Sequence, residues 1–128
     1  MKNFKKQCRQ LIVKCQDILD LKHYKVTIAF SEDEDYYANA FYEEIPDHEA
    51  TIVINKRKNA EAKDLKDTIM HEMIHIYLYD YTIYVENVVR TIRDVYDINF
   101  DFKTMFKKCY EKEEILVEKL TNVLKDKL

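Results

Sequence analysis

Apolar residues recur along the chain at two spacings, and each spacing predicts a type of secondary structure. Residues 3–20 follow the helical period of 3.6 and are expected to form an amphipathic helix that covers a sheet. Alternating apolar and polar residues then predict strands, and the helical period returns in the second half of the chain. The predicted strands are Tyr24–Phe30, Tyr36–Glu44 and Ala50–Asn55, and the later helices are 60–79, Ile83–Tyr96 and one from Phe102 to the C-terminus.

This order of elements predicts one domain, residues 1–128, of the α+β class. We expect an N-terminal helix, a small three-stranded mixed sheet, a central helix and one or two C-terminal helices. Asn59 and Asp101 are the predicted N-caps of the central and final helices. Residues 31–35 are expected to form a solvated acidic loop, and Pro46 and Asp47 to form a turn.

Composition removes several classes of function. The chain has 128 residues, 47% of them hydrophobic, and a net charge of −3. It has no basic stripe for nucleic acid, no apolar run long enough for a membrane span and no secretory signal, so a cytoplasmic location is expected. The absence of glycine removes phosphate-binding glycine loops. The three cysteines, Cys8, Cys15 and Cys109, have spacings typical of reduced core thiols.

The central helix carries the sequence's strongest chemical signal, His71-Glu72-Met73-Ile74-His75. Residues four apart lie on one face of a helix, so the two imidazoles can reach one metal ion. Glu72 is placed beside that site, where its carboxylate can deprotonate a water held by the metal. His71 and His75 flank the predicted apolar face, which argues against two unrelated histidines on a solvated surface.

A catalytic zinc site needs three protein ligands, and no histidine follows His75. A later carboxylate is therefore the expected third ligand. Glu86 and Glu118 fall on polar helix faces, whereas Glu113 interrupts an apolar stripe that continues through Leu116 and Leu120. Because burying an unpaired carboxylate is costly, Glu113 is the predicted ligand, with Glu114 as the alternative. Ligand type favours zinc over other metals.

Ala50–Asn55 and Thr68–Ile76, together with the later helix that carries Glu113, resemble a minimal gluzincin. The chain is similar to small H-E-x-x-H zinc metallopeptidases of bacteria and their phages or prophages. The resemblance implies a zincin-like fold, a zinc ion, a His/His/Glu ligand set and Glu72 as general base. Residues 38–42 also resemble the strand that lines the substrate cleft of thermolysin-like enzymes, but those enzymes' downstream oxyanion-binding histidine has no counterpart here.

Two functions are compatible with these features. The first is a zinc-dependent peptide hydrolase in which Glu72 acts as general base on a peptide or protein substrate, with Tyr77, Tyr81 or Tyr110 available to stabilise the oxyanion. The second is a catalytically weak or inactive zincin-fold module that binds protein and keeps the metal for structure. A Glu72→Gln substitution separates the two, because only hydrolysis requires the carboxylate.

Overall fold

The computed structural model describes residues 2–31, 38–42, 48–59, 62–97 and 101–128. Within these ranges the chain forms three long helices and a small sheet. The helices are α1 (Lys2–Leu19), α2 (Ala62–Tyr96) and α3 (Phe102–Leu124), and a short 3-10 turn follows at Lys125–Lys127. The strands are β1 (Lys25–Ser31), β2 (Ala38–Tyr42) and β3 (Glu49–Asn55).

β3 lies in the middle of the sheet. It pairs in parallel with β1, with Ile28 opposite Ile52, and antiparallel with β2, with Ala40 opposite Ile52. Every second residue of β3 is fully buried, including Ile52 and Ile54. This alternation is the pattern of a strand with one face in a core.

The core lies where α1 and the first half of α2 pack against the sheet. Residues of α2 from Leu65 to Ile76 supply its largest share. Cys8 and Cys15 of α1 are fully buried and unpaired by disulfides, which confirms their predicted role as reduced core thiols, whereas Cys109 is exposed. Burial in these apolar surroundings raises the pKa of the Cys8 thiol to about 11 and that of Cys15 to about 12.

α2 is one continuous helix of 35 residues, where two separate helices were predicted. The chain has no glycine and its single proline lies far upstream, so no helix-breaking residue interrupts the segment. The hydroxyl of Thr82 donates to the carbonyl of Leu78, which is compatible with an unbroken helix. α3 returns alongside α2, and Asp101 caps it by accepting a hydrogen bond from the amide of Thr104, as predicted.

The predicted zincin-like α+β fold class is wrong. Helices of 18, 35 and 23 residues dominate the described chain, and only two strands of the small sheet are parallel. The physical reason is that α2 continues far beyond the sheet and pairs with α3. The second half of the molecule is therefore a helical hairpin rather than a sheet-based layer.

Three details differ from or lie beyond the predictions. The side chain of Asn59, predicted as the N-cap of the central helix, is buried and bridges two elements. The predicted acidic loop falls mostly, and the Pro46-Asp47 turn entirely, outside the described residues. Among the helices that the structure describes, none has a stretch long and apolar enough to cross a membrane.

Candidate metal centre

Two histidines of α2 and one glutamate of α3 converge between the two helices. Nε2 of His71 lies 2.8 Å from one carboxylate oxygen of Glu114, and Nε2 of His75 lies 3.0 Å from the other. The two imidazole rings are 5.0 Å apart. One ligand atom from each of the three residues falls within 4.8 Å of the other two, which makes them a candidate metal-binding group.

This donor set fits a zinc ion. Two imidazole nitrogens and one carboxylate oxygen are the ligand types of catalytic zinc sites, which keep a fourth position for water or substrate. Zinc–ligand bonds of about 2.0–2.2 Å in a tetrahedron separate neighbouring ligand atoms by roughly 3.3–3.5 Å. The observed contacts of 2.8 and 3.0 Å are therefore within about half an ångström of the spacing that an ion requires.

The surroundings of His71 favour its neutral, metal-binding form. Burial lowers the pKa of the imidazole, because removing it from water penalises the charged state. The positive charge that His75 can carry acts in the same direction, while Glu114 and Glu118 oppose it. Burial is the largest effect, so His71 is held ready to donate a nitrogen lone pair.

The third carboxylate of the group is Glu114, the sequence alternative, and not Glu113. Glu113 faces the other nitrogen of His75, Nδ1, at 3.9 Å, and accepts a long hydrogen bond of 3.4 Å from the hydroxyl of Thr82. Its side chain is mostly buried, at 19% exposure, against 49% for Glu114. Glu113 therefore lies behind the ring of His75, at a separation longer than a hydrogen bond.

The choice between these neighbours depends on how α3 is rotated against α2. The predicted apolar stripe included Leu116, but Leu116 is 46% exposed, whereas Val117 is fully buried and Thr121 nearly so. The contact face of α3 is therefore centred on Val117 and Thr121. Glu113 and Glu114 both lie within about one turn of this face, and the contacts of 2.8 and 3.0 Å place the Glu114 carboxylate against the two imidazoles.

Glu72 is buried, with 8% of its surface exposed, and lines a cleft beside the metal-binding group. The cleft has a volume of about 500 Å³ and also includes His71, Thr68 and Glu118 in its lining. Glu72 therefore faces the same open space as the first histidine of the motif. Glu118 is exposed, as predicted, and it also lines this cleft.

A buried amide fixes the start of α2 to the end of the sheet. Nδ2 of Asn59 donates to the backbone carbonyl of Asn55, the last residue of β3, at 2.6 Å. The hydroxyl of Thr68 donates to Oδ1 of Asn59, also at 2.6 Å. Thr68 lies three residues before His71, so these bonds anchor the metal-binding turn. This role was not predicted from the sequence. Two asparagines, Asn55 and Asn59, on either side of a strand–helix connection could have indicated it.

Of the three tyrosines predicted to assist the site, only Tyr110 is placed near it. Tyr110 lines a smaller cleft together with His75, Glu113 and Glu114, and its hydroxyl donates to Glu86 at 3.1 Å. Burial and this carboxylate raise the pKa of Tyr110, so its hydroxyl keeps its proton. Glu86 also pairs with Arg90 as predicted, but its side chain is only 16% exposed.

Tyr77 and Tyr81 line a different cleft, next to Asp20 and His23. The remaining histidine, His48, lies against the rings of His23 and Tyr24, with Asp80 3.9 Å away. Neither His23 nor His48 belongs to the metal-binding group found among the described residues.

Comparison of the chain with models of protein families, with characterised proteins and with solved structures finds no match.

Proposed function

We propose that the chain is a zinc-dependent peptide hydrolase of the H-E-x-x-H type, acting in the cytoplasm on peptide or protein substrates. The observation that carries the proposal is the convergence of His71, His75 and Glu114 beside a cleft that also receives the buried carboxylate of Glu72. Ligands, base and space for a substrate then lie together within one turn of α2 and the facing turn of α3.

The roles follow from the contacts. His71, His75 and Glu114 would hold the zinc ion, which supplies Lewis-acid polarisation of the scissile carbonyl and acidifies the attacking water. Glu72 accepts the proton of that water and passes it to the leaving amine, the usual task of a carboxylate base. Glu113 lies 3.9 Å from Nδ1 of His75 and would add negative charge behind the ring without ligating the ion.

The sheet offers a place for an extended substrate. β2 lies at the edge of the sheet, and in the described chain no strand pairs with its outer side. α2 packs against β2, so this edge belongs to the same part of the molecule as the motif helix. A peptide can add to such an edge through main-chain hydrogen bonds, which bind extended chains with little regard to sequence.

Tyr110 is the residue best placed to assist from the opposite side of the group. It lines the cleft that contains His75 and Glu114, and its hydroxyl donates its proton to Glu86. If a substrate oxygen replaced Glu86 as the acceptor, this phenol would stabilise negative charge developing there. Tyr77 and Tyr81, in their separate cleft, have no part in this proposal.

The test compares wild-type protein with Glu72→Gln. Both are supplied with zinc, their metal content is measured, and each is incubated with an unfolded polypeptide whose new termini are identified by mass spectrometry. We expect about one zinc per chain in both and cleavage by wild type alone, because Glu72 is a base and not a ligand. Equal cleavage by the two proteins would remove Glu72 from the mechanism.

Two other outcomes decide the remaining questions. Wild-type protein that binds zinc but cleaves nothing would identify the metal as structural and favour a protein-binding module. Wild-type protein that binds no zinc when the ion is supplied would refute both functions. Glu118→Gln is the matched control, since Glu118 lines the same cleft as Glu72 but lies outside the metal-binding group.

A further inference from the structure

The second half of α2 carries a continuous row of exposed apolar and aromatic side chains. We call it the α2 stripe: its members are Tyr77, Tyr81, Tyr84, Val88, Ile92 and Val95. Their exposed fractions run from 39% at Val88 to 69% at Tyr81 and Val95. At 100° per residue the six side chains fall within an arc of about 80° on the helix surface. The row is therefore one straight face and not a scatter of single residues.

This face continues the buried face of the same helix. Met70 and Ile74 lie on the same side of α2 and are fully buried, since α1 and the sheet cover that part of the helix. The cover thins out along the next turn, where the segment Asp20–Tyr24 borders Tyr77 and Tyr81. α3 packs on the other side of α2, where Thr82 contacts Glu113 and Glu86 contacts Tyr110. No described element covers the stripe from Tyr84 to Val95, and Tyr77 and Tyr81 remain more than half exposed.

The size of the stripe is that of an interface. Taking about 200 Å² for a tyrosine and about 150 Å² for a valine or isoleucine, the exposed fractions amount to roughly 600 Å². The largest apolar patch on a monomeric protein is typically about 300–600 Å², so the stripe lies at the upper end of that range. Each partner of a standard protein–protein interface buries about 800 Å², most of which the stripe and its flanks can supply.

The order of residue sizes in the stripe favours a second copy of the same helix. The three tyrosines lie in its first half and the smaller Val88, Ile92 and Val95 in its second. When two copies of α2 are placed antiparallel about a twofold axis near residue 86, Tyr77 of one copy faces Val95 of the other. Tyr84 of one copy likewise faces Val88 of the other. Each large side chain then meets a small one, as close packing between helices requires.

Spacing and charge agree with this arrangement. Tyr77, Tyr81, Tyr84, Val88, Thr91 and Val95 follow intervals of four, three, four, three and four residues, the a/d pattern of a two-helix seam. In the antiparallel register Tyr81 faces Thr91, beside Ile92. No member of the stripe is charged, so no like charges meet across its centre.

We propose that the chain forms a homodimer through antiparallel packing of two α2 stripes. The twofold axis passes near residue 86, and each α3 lies on the outer side of the α2 pair. The metal-binding groups remain outside the interface, because they face α3. The proposal does not depend on the function proposed above.

The first test is the molar mass in solution, measured by sedimentation over protein concentrations from about 1 to 200 µM. Wild-type chain is expected to reach twice the monomer mass. Val88→Glu and Tyr84→Glu place a charge at the centre of the seam and should stay monomeric. Val123→Glu, at an aliphatic position of α3 as exposed as Tyr84, should still dimerise. Circular dichroism checks that each variant is folded. If one of the two stripe variants fails to fold, the other still provides the test. Wild-type chain that is monomeric throughout this range, or a Val123→Glu effect equal to that of folded stripe variants, would overturn the proposal.

The second test uses disulfide formation to determine whether the two α2 helices are parallel or antiparallel. It is done in a Cys109→Ser background, because Cys109 is the exposed cysteine. Chains with Tyr77→Cys and chains with Val95→Cys carry tags of different size. Oxidation of the mixture should give the mixed disulfide, and neither chain alone should crosslink to itself. Self-crosslinking of Tyr77→Cys at the efficiency of the mixture would show parallel helices and refute the antiparallel model.

Discussion

Replacing Glu114 by glutamine is the perturbation that tests the metal centre most directly. Its two carboxylate oxygens contact both imidazoles, at 2.8 and 3.0 Å, whereas the nearest carboxylate oxygen of Glu113 lies 3.9 Å from His75. Zinc bound by four protein ligands is held with about 10–16 kcal/mol, or roughly 3 kcal/mol for each ligand. Glu114→Gln is therefore expected to weaken zinc binding about 100-fold or more.

Glu113→Gln is the matched control, with the same chemical change one residue away. A group that only orients a ligand usually changes metal affinity about 10–100-fold when it is removed. The long 3.4 Å bond from Thr82 puts Glu113 at the weak end of that range, so we expect a loss of about tenfold or less. Competition between the protein and a zinc-binding dye measures both affinities.

Folding does not obscure the comparison. Glu114 is half exposed, and exposed ion pairs contribute about 1 kcal/mol or less, so the metal-free Glu114→Gln protein should unfold at nearly the wild-type urea concentration. If Glu113→Gln loses more zinc affinity than Glu114→Gln while both remain folded, the ligand assignment made from these distances is refuted.

Two further predictions concern stability. The Cys15 thiol, with its pKa raised from 9.0 to about 12, stabilises the folded chain fully below pH 9. That contribution is lost as pH rises towards 12, because the unfolded chain releases the proton first; at pH 10 the loss is about 1.4 kcal/mol. In urea titrations the free energy of unfolding of Cys15→Ala should be lower than that of wild type at pH 7. Between pH 8 and 10 it should decrease by less than the wild-type value does. An equal decrease in the two proteins would exclude this thiol as the cause. Asn59→Ala should cost about 2–4 kcal/mol, since two buried hydrogen bonds lose their partner. Asn87→Ala, at an exposed position of α2, should change stability by less than about 0.5 kcal/mol, and equal effects would contradict the anchoring role.

Local spacing was sufficient to predict that the side chains of His71 and His75 lie together. Both lie on one helix, and a four-residue interval determines their relation without any knowledge of the rest of the fold. Cys8 and Cys15 were predictable in the same way, from their register on an amphipathic helix. Properties confined to a single regular element can thus be derived from the order of residues in it.

The third ligand could not be derived in this way. Glu113 and Glu114 differ by about 100° around α3, and only the packing of α3 on α2 decides which of them faces the histidines. The predicted apolar stripe contained Leu116, Val117 and Leu120, but in the structure Leu116 is exposed and the buried face is centred on Val117 and Thr121. The fold class failed for a related reason, since nothing local indicated that α2 would extend past the sheet to pair with α3.

The length of α2 has a consequence for how the molecule opens. At 1.5 Å per residue the helix is about 52 Å long, and only its first half has a core beneath it. Its first half opens only when the core itself is disrupted, whereas the second half is held by α3 on one side alone. One helix therefore contains two cooperative units with different opening free energies. His71 and His75 lie in the more stable unit, and Glu114 lies three residues before Val117, where α3 joins the core. Opening of the far end of the hairpin would therefore reach the edge of the metal-binding group while leaving the sheet and its covering helices folded.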